Sequence, residues 1–279
     1  MILFKKTTDL HKYLDSQTKK AVSIGFVPTM GALHEGHISL IKKSKELNKI
    51  TICSIFVNPT QFNDPVDFEK YPSTLENDIY LLNAAQCDIL FHPSVDEVYP
   101  EGLLNRQQYD LGHLEKILEG EYRPGHFQGV CSVVHRLLDM INPDWLYLGQ
   151  KDYQQCKVIT KLLQLMSKEK EIRIEICPTI READGLAMSS RNLRLNNNER
   201  KNAMLLYESL VYVKKNISAG NTENVRTTAV AMLLDGGLRM DYLKIADADT
   251  LEEIIDWNGK QKIIALVAAS VGKDRRAHV

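Results

Sequence analysis

The chain has 279 residues, 44% of them hydrophobic, and a net charge of −1 from 35 Lys plus Arg against 36 Asp plus Glu. That apolar share excludes wholesale disorder. The charge balance lacks the basic excess of a nucleic-acid binder, and no apolar run is long enough to predict a membrane span. "MILFKKTTDLHKYLD" opens the chain without the apolar stretch of a signal peptide. "AVSIGFV" (21–27) predicts a strand, and "GHISLIKKSKEL" (36–47) an amphipathic helix with its lysines on one side. "KITICSIFV" (49–57) is apolar on both faces, as a buried parallel strand is. Helices are then expected at 74–86, 129–141 and 152–166, with strands at 87–93, 144–149 and 171–179. This alternation predicts a mostly parallel sheet with helices on its faces. Residues 178–197 form a polar, mobile-looking linker, followed by two helices and two strand-like runs, "MDYLKIAD" and "QKIIALVAAS". Cys53, Cys87, Cys131, Cys156 and Cys177 are scattered and show no metal-binding spacing. They are expected to be reduced core thiols of a cytoplasmic protein.

Several strings suggest chemistry. "VPTMGALHEGH" (27–37) places a glycine turn between a strand and a helix, and such a turn offers backbone N–H groups and a positive helix end to an anion. His34 and His37 are three apart and share a helical face. Taken alone, such a pair is more often two surface histidines after a turn. "GQKD" (149–152) sets Lys151 where it can meet a phosphate and Asp152 where it can accept from a ribose hydroxyl; taken alone, it is more often an acidic helix start. "MSSR" (188–191) offers two hydroxyls and a guanidinium to phosphates, or is a Ser-rich turn with a solvated Arg. The amides of Gln61 and Gln155 can each donate and accept, and Gln155 taken alone reads as a solvated helix residue. Val130, Val133 and Val134 taken alone read as ordinary helix core. Arg123 and His126, in "RPGHFQGV", either steer carboxylates or brace their loop. No Asp/Glu cage for a metal is visible.

The strings "VPTMGALHEGH", "SIFVNPTQF", "RPGHFQGV", "LGQKDYQQ" and "READGLAMSSRN" stand in this order over residues 21–195. The first resembles the HxGH signature of nucleotidyltransferases and class I aminoacyl-tRNA synthetases. The set together resembles the pantoate–β-alanine ligase family, with a weaker likeness to the end of the chain and a divergent tail, "GKDRRAHV".

The resemblance implies a Rossmann-like α/β catalytic domain (1–177) that binds ATP and pantoate, and a smaller α+β lid domain (178–279). It implies ATP-dependent condensation of (R)-pantoate with β-alanine through pantoyl adenylate, giving pantothenate, AMP and diphosphate. His37, at the family's proton-donor position, His34 and Lys151 are the implied catalytic residues. The implied ATP contacts are Met30, Gly31, Ala32, Leu33, His34, Glu35, Gly36 and His37, then Gly149, Gln150, Lys151 and Asp152, then Ile180, Met188, Ser189, Ser190 and Arg191. Gln61 and Gln155 would hold pantoate and β-alanine, and Asp78 would touch the Mg²⁺ that accompanies ATP. A homodimer without nucleic-acid or membrane partners is implied. If the second domain closes as a lid, Gly185→Pro should lower turnover and leave fold stability intact. The alternatives are a nucleotidyltransferase that hands AMP or CMP to a phosphate ester, and a non-catalytic nucleotide sensor; a tRNA synthetase lacks its anticodon-binding domain here.

Overall fold

The computed structural model describes residues 1–18, 22–62, 68–103, 107–271 and 276–278. The chain divides into two compact units, Met1–Pro178 and Thr179–Val279. In the first, six strands are all parallel: β1 (Ile2–Phe4), β2 (Ile24–Thr29), β3 (Ile50–Ile55), β4 (Ile89–Phe91), β5 (Trp145–Gly149) and β6 (Arg173–Cys177). Their order is β1-β4-β3-β2-β5-β6. Parallel strands need both faces covered. α2 (Glu35–Leu47) and α3 (Leu75–Ala84) supply Leu40, Ile41 and Leu82 to one face, where they join Val27, Cys53, Leu90 and Tyr147. α1 (Thr7–Thr18), α4 (His126–Ile141) and α5 (Tyr153–Leu165) pack together on the opposite side of β2 and β5. Every residue of β3 is buried, as its unbroken apolar run predicts.

The strand order creates the crevice. From β2 the chain steps outward through β3 to β4, then returns to the other side of β2 to lay down β5 and β6. This reversal between β2 and β5 is the place where open α/β sheets bind ligands, outside the carboxyl ends of the strands. Pro28 contributes locally. β2 pairs with β3 through Thr29, but with β5 only at Gly25 and Phe26. A proline has no N–H to give to a ladder, so a partner strand ends beside it. The carboxyl ends of β2 and β5 are thus left unpaired with each other. At their other ends Asp144 ties the two strands, accepting from Ile24 N–H at 2.7 Å.

The second unit has its own core. α6 (Asn197–Asn216) and α7 (Thr222–Asp235) pack on an antiparallel sheet of β7 (Arg239–Asp247), β8 (Ile263–Ser270) and β9 (Arg276–His278). Leu206, Val225, Leu233, Ile245 and Val267 are buried in it. Of the divergent tail, Gly272–Arg275 and Val279 lie outside the described residues.

The structure differs from the expected elements at β1, α1 and the start of α4. β1 and α1 went unread, because β1 is three residues long and α1 has a low apolar content. α4 starts three residues earlier than expected, at His126, after a left-handed Gly125. The five cysteines are buried and unpaired, and burial pushes Cys87, Cys131 and Cys156 up to about 12. No described helix is long and apolar enough to cross a membrane.

α2 lies close against β2 at Gly25, where an added Cβ would lie 2.2 Å from Ser44 Oγ and 2.6 Å from Asn48 Nδ2. Ser44 is fully buried and bonded to Thr51 Oγ1, so it has no room to yield. Gly25→Ala is expected to destabilise the fold by about 1–3 kcal/mol, the usual cost of overpacking. A lowered urea midpoint with an unchanged slope checks this.

Candidate functional site

The loop after β2 is unusual backbone. Gly31 and Ala32 both have positive φ, 83° and 49°. Only glycine adopts this region readily. Three groups hold the loop in place. Thr29 Oγ1 accepts from Gly31 N–H at 3.2 Å and donates to Ser54 O at 2.7 Å. Asp78, in the first turn of α3 and 1% exposed, accepts from Ala32 N–H through Oδ2 at 2.9 Å and from Leu33 N–H through Oδ1 at 2.8 Å. Thr74 Oγ1 donates to Asp78 Oδ1 at 3.1 Å.

With the loop fixed, His34 becomes the N-cap of α2. Its Nδ1 accepts from Gly36 N–H at 3.1 Å, and His37 Nδ1 accepts from His34 N–H at 3.3 Å. The His-x-Gly-His spacing is therefore a reciprocal capping box built from imidazoles in place of Ser and Glu. The rings lie 4.0 Å apart, centre to centre. A nitrogen that accepts a hydrogen bond carries no proton, so each neutral ring keeps its N–H on Nε2. Burial pulls His37 down to about 3, with the His34 ring and the Lys151 ammonium adding to the effect. His37 is thus neutral near pH 7, and as a neutral imidazole it donates a hydrogen bond from Nε2.

β5 ends at Gly149, and a helical turn, Gln150–Asp152, leads into α5. Lys151 Nζ sits 3.4 Å from Asp152 Oδ1, with Lys151 largely buried and Asp152 exposed. On the other side of β2, the turn after β3 carries Gln61. Its Nε2 donates to Met30 Sδ at 2.7 Å, and its Oε1 accepts from Asn58 Nδ2 at 3.2 Å. A thioether is a weak acceptor that a ligand oxygen can displace. Asn58 is 1% exposed. Its Oδ1 accepts from Thr60 N–H, Thr60 Oγ1 and Tyr99 OH, and its Nδ2 also donates to Gly129 O. Gly129 lets α4 lie directly on this turn, since a Cβ there would be 2.3 Å from Thr60 O. Of two adjacent glutamines on α5, Gln154 is buried and fully bonded, while Gln155 is half-buried and makes no side-chain hydrogen bond to any described residue. Val130, Val133 and Val134 are all buried in α4.

In the second unit, Arg181–Ala187 is a tight antiparallel turn around Asp184 and Gly185. Arg200, from α6, binds Asp184 Oδ2 at 2.8 Å through Nε and reaches Glu182 through its other end. Met188 N–H donates to Ile180 O at 3.0 Å, and Ser189 caps the turn Ser190–Arg194 by accepting from Arg191 N–H at 3.3 Å.

With this geometry in view, comparisons with known proteins are decisive. Residues 2–276 match the family model described as Pantoate-beta-alanine ligase. The chain belongs to the pantoate–β-alanine ligase family. It is 43% identical over 278 residues to the pantothenate synthetase of Fervidobacterium nodosum, covering 99% of this chain and 97% of that protein. The pantothenate synthetase of Cytophaga hutchinsonii is 43% identical over 276 residues, covering 97% and 95%. Among solved structures, a pantothenate synthetase from Thermus thermophilus superposes with a TM-score of 0.88 at 36% identity, covering 100% of this chain and 98% of that one. The pantoate-β-alanine ligase of Francisella tularensis, complexed with beta-gamma ATP and β-alanine, superposes with a TM-score of 0.80 at 38% identity, covering 100% and 96%. Membership of the pantoate–β-alanine ligase family makes this protein an ATP-using ligase of pantothenate biosynthesis.

The structure sets contacts within the chain beside three sequence expectations for this pantoate–β-alanine ligase. The amides of Ala32 and Leu33, two of the implied ATP contacts, donate to the chain's own Asp78. Asp78, expected at the metal, accepts from three donors within the protein through its two oxygens. Among the described residues no group of three or more His, Cys, Asp and Glu side chains could hold a metal ion; Mg²⁺, which binds through one or two carboxylates and the substrate's phosphates, needs no such group. The string around Gly185 is bridged by Arg200 where a mobile linker was expected. Gly185 itself has φ +90° and touches the Tyr207 ring, so Gly185→Pro would break the turn and does not test closure. Sequence reasoning also missed Asn58 and Gln154; for Asn58 the signal was its place before Pro59, as the cap of a turn.

Asp78→Asn turns an NH₂ donor toward backbone donors. It should cost about 2–4 kcal/mol of stability, the order for lost bonds to a buried charge. A variant as stable as the parent that needs more Mg²⁺ would return Asp78 to the metal. His37 and His126, whose ordinary value is 6.5, lie at about 3 and about 4 in the fold. The unfolded chain therefore binds more protons between those values, and stability should fall as pH drops from about 6.5 toward 3. Urea midpoints measured from pH 7 to 4 check this, with a shallower decline expected in His37→Gln.

Proposed function

We propose that this chain condenses (R)-pantoate with β-alanine in two steps at the carboxyl ends of β2, β3 and β5. A pantoate carboxylate oxygen attacks the α-phosphorus of ATP; the bond to diphosphate breaks, leaving pantoyl adenylate. The β-alanine amine then attacks the acyl carbon; the C–O bond to AMP breaks, and the amine loses a proton. The observation that carries this reading is the pair of imidazoles whose Nδ1 atoms are both spent on capping α2, with the Lys151 ammonium close enough to depress His37. Donors of that kind suit the charge that builds on phosphate oxygens during in-line transfer. His37, held neutral, acts by donating a hydrogen bond through Nε2. Gln61 and Gln155 hold the hydroxyl and carboxylate oxygens of pantoate, and Val130, Val133 and Val134 back its methyl groups.

Ile180, Met188, Ser189, Ser190 and Arg191 are assigned to the nucleotide on motif likeness alone. Mg²⁺ enters as the counter-ion of the ATP phosphates, and no step here runs through a protein-bound metal. The same reading takes the chain to be a cytoplasmic homodimer, in keeping with its five unpaired buried thiols.

Incubation with ATP, Mg²⁺ and (R)-pantoate, with and without β-alanine, tests the proposal. Chromatography should find AMP and pantothenate together only when both substrates are present. His37→Ala should lower kcat by about 10²–10³, the usual loss for one donor to a developing oxyanion. His37→Gln, whose amide can stand in for Nε2–H, should retain part of it. A nucleotide-linked product without free AMP would establish the nucleotidyltransferase alternative instead.

A further inference from the structure

Arg123 and His126 are unused by the reading above, yet they converge on one of its central atoms. Gln61 O accepts from His126 Nδ1 at 2.9 Å and from Arg123 NH2 at 3.4 Å. A carbonyl only accepts, so His126 Nδ1 carries the proton and Nε2 the lone pair. Nε2 faces Arg123 NH1 at 3.3 Å, and a guanidinium only donates, so the tautomer is fixed from both sides. Burial, helped by the Arg123 charge, keeps this ring neutral. Glu119 Oε1 accepts from Arg123 NH1 at 3.1 Å. The chain of bonds continues, for Glu119 N–H donates to Gln154 Oε1 at 2.9 Å, and Gln154 Nε2 donates to Leu114 O and Ile117 O at 2.9 and 2.8 Å. Gln155 is the next residue of α5.

We propose that Glu119, Arg123 and His126 form a positioning bracket that holds the Gln61 backbone and ties it to the start of α5, setting the spacing of the two glutamines that grip the acyl substrate. The bracket rests on the assignment of Gln61 and Gln155 to pantoate. It acts on substrate binding through Gln61 and touches no reacting atom. The three side chains belong to a short helical turn, Glu119–Tyr122, its C-cap and the first residue of α4. All of them belong to the first unit. A bracket of this kind makes a separable demand. Its loss weakens binding of the hydroxy acid and leaves the nucleotide's affinity alone, whereas general loosening of the fold raises both.

The test is steady-state kinetics on four variants of the full chain. Gln61→Ala reports on the acyl assignment itself. His126→Ala removes the bracket's donor and is expected to raise KM for pantoate about tenfold, the order for one lost hydrogen bond, with KM for ATP within about twofold. His126→Asn places an amide N–H where Nδ1–H stood, and should bring KM for pantoate back to within about threefold of the parent. His126→Gln keeps the volume but sets its amide at the Nε2 position, and should behave like His126→Ala; this pair carries the test if His126→Ala does not fold. If Gln61→Ala raises KM for pantoate and His126→Gln does not, the bracket is overturned and the acyl assignment stands. If Gln61→Ala leaves that KM unchanged, the acyl assignment falls and takes the bracket with it. Equal rises in both KM values, or an Asn variant no better than Gln, would reduce His126 to a structural residue.

Discussion

One buried carboxylate organises the first unit's ligand-facing end. Asp78 reaches from α3 to two amides of a loop more than forty residues earlier, and in doing so stabilises two consecutive left-handed residues. The second of these, Ala32, bears a Cβ and gains nothing from that conformation on its own. Charge-assisted bonds to the amides of Ala32 and Leu33 offset that cost. The consequence lies one residue further on. His34 enters α2 in extended conformation as its cap, and His37 follows one turn later on the same face. Because Asp78 fills these two loop amides, the proposed recognition of charge rests on side chains: two imidazoles and a lysine.

The general architecture is legible in the sequence because it depends on local pattern. Apolar runs such as Ile50–Ile55 alternate with amphipathic ones, and a parallel sheet follows from that alternation. Pro28 marks where pairing to β5 ends, and can be read as soon as β2 is known to be central. The sequence is less informative where partners lie far apart in the chain. A carboxylate in the first turn of a helix looks the same whether it faces water, a metal or a loop, so Asp78 could not be placed from its own neighbours. Gln154 and Gln155 differ only in helical phase, and the structure buries the first while leaving the second half-open. The Glu182–Gly185 turn is polar and glycine-containing, hence its mobile look; Arg200, far along the chain, braces it.

Histidine is used in two opposite ways within the first unit. His34 and His37 each accept a backbone N–H at Nδ1, which leaves Nε2–H as the ring's donor. His126 gives its Nδ1–H to a backbone carbonyl, which leaves Nε2 to accept from Arg123. The residue type is the same, and the difference is set by whether an amide or a carbonyl stands beside Nδ1. Burial keeps His37 and His126 uncharged, so neither shifts tautomer by picking up a proton near neutral pH. The backbone thus decides the polarity of each ring: those at the start of α2 retain an N–H at Nε2, and the one at the start of α4 is committed to holding the chain. A site built this way keeps its donors in place before any ligand arrives, which is where electrostatic stabilisation of a transition state gets its strength.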